Sequence, residues 1–127
     1  MDRMKTWPTR RAETIDGCAE AARLSGFAII GHMPRMTEFY RKRANEQLRA
    51  ARKSGDADLV ADAKAKLDFI GWAENWMRGP IDTWPYQGVP DSHYQHMNSE
   101  LSMIGYSLQK LIQAYARHAD FREEWRP

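Results

Sequence analysis

The stretch Tyr94-Gln-His-Met97-Asn-Ser-Glu-Leu101-Ser-Met-Ile104-Gly-Tyr-Ser-Leu108-Gln-Lys-Leu111-Ile-Gln-Ala-Tyr115 decides the fold class. Its apolar and aromatic positions Tyr94, Met97, Leu101, Ile104, Leu108, Leu111 and Tyr115 are spaced 3, 4, 3, 4, 3, 4. That spacing draws one stripe along a helix, and a stripe of this kind needs a second helix to cover it. It predicts a helix opening after Pro90-Asp91 and running to about His118, with Phe121 and Trp125, four apart, extending a final turn. The seam is open to two partners, the rest of the chain or its own copy, so the chain is a monomer or a homodimer through Tyr94–Tyr115.

Upstream, residues 79–91 hold three prolines and two glycines and read as a long loop, with Ile81, Trp84, Tyr86 and Val89 available to lay it against the body. Before the loop, Val60, Ala63, Leu67, Ile70, Ala73 and Met77 form one stripe of a helix from Ala57 to about Arg78, and Phe69, Trp72 and Trp76 form a second stripe beside it. Ser54-Gly55-Asp56 breaks the chain ahead of this helix, with Asp56 placed to cap it. The preceding helix is expected from Pro34 to about Lys53, with Met36, Phe39, Tyr40, Ala44, Leu48 and Ala51 on its apolar face. So short a break makes these two helices an antiparallel hairpin. Phe27 to Met33, between Gly26 and Pro34, reads as a short turn or buried connector, and a first helix is expected from Arg10 to Leu24 after the capping hydroxyl of Thr9. The reading is all-α: a small irregular bundle of four main helices with a Pro-rich aromatic loop, as a single domain over residues 1–127.

At 127 residues, 43% hydrophobic and 28% charged, the chain is long enough to bury a core and too apolar to be a disordered tail. Its longest apolar runs are short, so no membrane span is expected. A single cysteine, Cys18, and no secretory segment point to a cytoplasmic protein in a reducing cytosol, or to one acting inside a host cell. The net charge of +2 hides an asymmetry. Residues 1–53 carry +6 and the remainder −4, with the excess in Arg35, Arg41, Lys42, Arg43, Arg49, Arg52 and Lys53. The two halves either neutralise each other within the fold or the basic helix meets an acidic partner. Arg35, Lys42, Arg49 and Lys53, seven or four apart, share a face that suits phosphates; with Arg52 they form the candidate nucleic-acid or acidic-surface site. The pI of 8.8 is modest for a dedicated nucleic-acid binder.

Motifs for chemistry are few. His93 and His96 share a face, but no Glu-x-x-His, His-Glu-x-x-His or cysteine cluster supplies further ligands, so neither a metal nor a cofactor is expected. Cys18 lies on an apolar stripe, where a thiol behaves as a small hydrophobe. There is no Gly-x-Ser-x-Gly turn and no phosphate-cradling loop, and Glu123-Glu124 read as a solvated tail; no catalytic residue is assigned and the chain is read as non-enzymatic. A helix-turn-helix fits Ala22 and Gly26 but fails beyond them, because Gly31 and Pro34 fall where a recognition helix must be continuous.

The aromatic content is the most unusual feature. Trp72, Trp76, Trp84 and Tyr86, with Arg78 alongside, belong to the residue types that dominate protein interfaces. They are the candidate partner-binding set, with core packing as the competing use of Trp72 and Trp76. The segment Leu67-Asp-Phe-Ile-Gly-Trp72-Ala-Glu-Asn-Trp76-Met-Arg78-Gly-Pro80, followed by Thr83-Trp84-Pro85, resembles the Trp-rich stretch of small phage and prophage antitermination-type regulators over about twenty residues. The resemblance implies a small phage-type or mobile-element regulator or inhibitor acting on a host protein assembly. The alternative is a nucleic-acid-binding accessory or transcription regulator using helix 35–53.

Overall fold

The computed structural model describes residues 14–83 and 91–127, with side chains over 14–79 and 95–127. Four α-helices run through the described residues, with no strand among them: α1 (Ile15–Leu24), α2 (Ala28–Ser54), α3 (Ala57–Thr83) and α4 (Asp91–Ile112). Helix α2 is the spine, packed against each of the other three. Ile30, Met33 and Met36 of α2 meet Ile70, Ala73 and Met77 of α3 and Leu101, Leu108 and Ile112 of α4 in one buried cluster. At roughly 1.5–3 kcal/mol per fully buried large apolar side chain, this cluster is the main source of stability.

The hairpin between α2 and α3 forms as its sequence dictates. Gly55 takes the left-handed conformation (φ 72°) that closes α2, and Asp56 Oδ1 accepts hydrogen bonds from the backbone N–H groups of Asp58 and Leu59, both at 3.1 Å. At the crossing of α2 and α4, Gly105 is buried, and a Cβ there would stand 3.1 Å from both Ile29 Cγ1 and Met33 Sδ. The missing side chain lets the two backbones approach.

Four element boundaries differ from the sequence reading. Helix α1 starts at Ile15 instead of Arg10, because Thr14 Oγ1 accepts from the N–H of Gly17 at 3.0 Å and caps it there. Phe27–Met33 is no separate connector: α2 runs through Pro34. An interior proline costs about 3 kcal/mol, but Ile29, Ile30 and Met33 lie in register with Met36, Phe39 and Tyr40 and all are buried, which outweighs it. Helix α3 likewise passes Gly79-Pro80 and ends at Thr83, so the expected loop loses its first five residues. Pro80 removes one backbone N–H from the helix, and the helix continues for three residues beyond it.

Helix α4 stops at Ile112, not His118. A 3-10 turn over Gln113–Tyr115 follows, and further turns lead to a second one at Glu123–Trp125. The seam also departs from the heptad. Leu101, Ile104 and Leu108 are buried, but next comes Ile112, while Leu111 is 43% exposed. A straight helix of 3.6 residues per turn drifts by about 20° per heptad and so passes the stripe to the neighbouring residue. Leu101, Ile104 and Leu108 of the seam, with Ile112, thus face the chain's own core.

The segment after α4 wraps around Phe39. That ring packs against Tyr115, Phe121 and Trp125 at centroid distances of 6.2, 6.0 and 5.2 Å. Gln109 and Gln113 donate to the Trp125 carbonyl at 3.1 and 2.8 Å, which fixes the end of the chain.

Candidate functional site

The outer face of α3 carries a cluster of three aromatic rings around an exposed tryptophan. Trp72 is 49% exposed, flanked by Phe69 at 5.9 Å and Trp76 at 6.2 Å between ring centroids. Phe69 and Trp76 are half-buried against the core, so they fix the indole between them from both sides. Spacings of three and four residues place the three rings on one face. Asp68, Gly71 and Asn75 are exposed around Trp72, and a Cβ at Gly71 would meet nothing within 4 Å. The helix is bare beside the ring.

Of the predicted partner-binding set, Trp72 and Trp76 come together. Arg78 is exposed, but at 100° per residue it points roughly 200° around the helix from Trp76 and belongs to another surface. Trp84 and Tyr86 lie outside the described residues. The competing use as core is divided: Trp76 takes part in it and Trp72 stays half outside.

The basic helix is divided as well. Arg43, counted in the sequence as surface charge, is buried. Its guanidinium contacts the His118 ring, donates to Glu46 at 2.9 Å, lies 3.8 Å from Asp120 and stacks over Phe39 at 5.1 Å. Arg41 pairs with Glu74 of α3, and Lys42 with Glu38 at 3.5 Å. Arg43–Asp120 and Arg41–Glu74 join the basic and acidic halves of the sequence, so part of the asymmetry is neutralised internally. Among the described residues, Arg35, Arg49, Arg52 and Lys53 have no ion-pair partner. Arg52 and Lys53 occupy the last turn of α2, where positive charge also suits the helix dipole.

Lys66 of α3 was not singled out by its sequence context. It donates to Gln47 Oε1 at 2.7 Å and to the Tyr115 hydroxyl at 3.2 Å, and pairs with Asp62 at 3.1 Å. Burial opposes its charge, but the bonds to Tyr115 and Asp62 outweigh burial and hold its pKa above the ordinary lysine value. The hydrogen bond from Gln47, followed by that from Lys66, lowers the carboxyl of Asp62.

No group of three histidine, cysteine or acidic side chains among the described residues is placed to hold a metal. His96 is exposed and pairs with Glu100 at 3.2 Å; the side chain of His93 lies outside the described residues. Cys18 is buried, and burial pushes its thiol up to about 12. No described helix is long and apolar enough to cross a membrane.

These features define a small all-α protein with an aromatic face on one helix and a partly neutralised basic face on another. Residues 35–127 match the model of a family of unknown function, DUF6221, and the chain belongs to that family. No curated protein and no solved structure matches it.

Proposed function

We propose that the chain is a non-enzymatic interaction protein that docks a partner protein on the outer face of α3. The observation that carries this reading is Trp72, half exposed between two rings that the core holds in place. A large, rigid aromatic of this kind buries much area on binding at small entropic cost. The narrower form is a phage-type or mobile-element regulator or inhibitor that engages a host assembly, and it is supported by the Trp-rich resemblance of residues 67–85. The test is a pull-down from the native host with and without nuclease. A protein partner retained after nuclease treatment, and lost on Trp72→Ala, supports the reading; binding unaffected by that substitution overturns it.

A second reading rests on a separate observation, the lack of ion pairs at Arg35, Arg49, Arg52 and Lys53. It makes the chain a nucleic-acid-binding accessory. It predicts binding to mixed-sequence DNA or RNA that weakens steeply with salt and is abolished by Lys42→Glu combined with Arg49→Glu. Failure to bind at low salt removes it.

A further inference from the structure

We propose that the groove between α2 and the C-terminal segment binds the phosphoryl group of a small, soluble phosphate ester. The groove encloses about 470 Å³, within the roughly 300–1,000 Å³ typical of small-molecule sites. One wall is α2, where Arg35, Glu38 and Lys42 follow one another at helical spacing; the other is the turn that carries Asp120 and Arg122. The floor is Phe39 and Trp125, 4% and 2% exposed and packed on each other. A low-dielectric floor beneath surface charges strengthens their field in the groove.

The groove is preformed. Arg43 holds His118 and Asp120 from below, and Gln109 and Gln113 hold the backbone at Trp125. Three cations face two carboxylates, and both carboxylates are already engaged. Glu38 lies 3.5 Å from Lys42, and Asp120 lies 3.8 Å from Arg43 and 4.0 Å from His118. Arg35 has no ion-pair partner among the described residues, and Arg122 reaches only the exposed Glu124, at 3.6 Å. Exposed pairs of that length are weak and exchange readily for a phosphoryl dianion, which guanidinium groups bind in two-pronged fashion.

The test is a calorimetric titration of the full chain with inorganic pyrophosphate at near-physiological salt. Wild type binds saturably, Arg35→Glu and Arg122→Glu each weaken binding roughly tenfold or more, and Glu38→Gln tightens it. Arg49→Glu with Arg52→Glu, outside the groove, leaves it unchanged. All these positions are at least partly exposed, and circular dichroism verifies that each variant is folded. No saturable binding by wild type, an equal loss in the Arg49/Arg52 variant, or weaker binding by Glu38→Gln overturns the proposal.

Discussion

Arg43 Nη1 lies 2.7 Å from His118 Nδ1, joining the middle of α2 to the turn that follows α4 across 75 residues of sequence. The guanidinium is buried, its Nε has no partner, and the neighbouring Glu46 and Asp120 are themselves half or more exposed. With the rings packed on Phe39 and the bonds to the Trp125 carbonyl, this side chain ties the C-terminal segment to the bundle.

Arg43→Ala is therefore expected to lower the free energy of unfolding by about 1–3 kcal/mol, from the lost hydrogen bonds and the lost packing of the side chain over Phe39. Arg43→Met, which fills the space without a buried charge or an unpaired Nε, should cost less. Urea denaturation decides it; a loss below about 0.5 kcal/mol for the alanine variant would mean that the contact contributes nothing.

Asn98 on α4 is 1% exposed, and its Oδ1 has no hydrogen-bond partner. It borders a cavity of about 10 Å³ lined also by Cys18, Ile30 and Met77. Leucine has the same branching and no polar atom to desolvate, so Asn98→Leu should stabilise the fold by about 1 kcal/mol. A lower thermal midpoint for this variant would show that the polar group is satisfied.

Cys18 supplies a pH dependence. Its thiol is raised to about 12 in the folded chain against an ordinary value near 9.0. Between these values the unfolded chain has lost the proton and the folded one keeps it, so the contribution is complete below pH 9 and lost as pH rises toward 12. Denaturation at pH 8 and pH 10 should show a larger fall for wild type than for Cys18→Ala, because Tyr40 and Lys66, also raised in the folded chain, contribute to the fall in both proteins. At pH 8 a thiol reagent should modify Cys18 no faster than the chain opens. Rapid modification of the folded protein would contradict the burial.

Gly71 lies within α3 with open space where its side chain would be. Gly71→Ala should stabilise the isolated protein by about 0.5–1 kcal/mol. Trp72→Ala should cost little, because half of the ring is already in water. If Trp72→Ala unfolds the domain, the ring belongs to the core and not to a docking face.

The fold class, the α2–α3 hairpin and the Asp56 cap were legible because each rests on local chemistry: period, a left-handed glycine, a carboxylate beside free N–H groups. Pro34 misled because it is a local breaker, and the burial that overrides it, at Ile30 and Met33 before it and Met36 and Phe39 after it, depends on helices distant in sequence. Arg43 read as one more surface cation for the same reason. Its neighbours Lys42 and Arg41 look identical in sequence, and only the packing of Phe39, His118 and Phe121 decides which of the three is enclosed. Trp72 and Trp76 were found by composition, but which of them is enclosed is decided by core residues distant in sequence, on which Trp76 packs.

The most direct test of the central claim measures affinity for the partner captured from the native host after nuclease treatment, comparing wild type with Trp72→Ala and with Arg49→Glu/Arg52→Glu. The account predicts that Trp72→Ala, with an unchanged circular dichroism spectrum, weakens the complex by 2 kcal/mol or more, roughly thirtyfold, while the charge-reversed protein binds as wild type does. Full affinity in Trp72→Ala, or loss confined to the charge reversal, would contradict it.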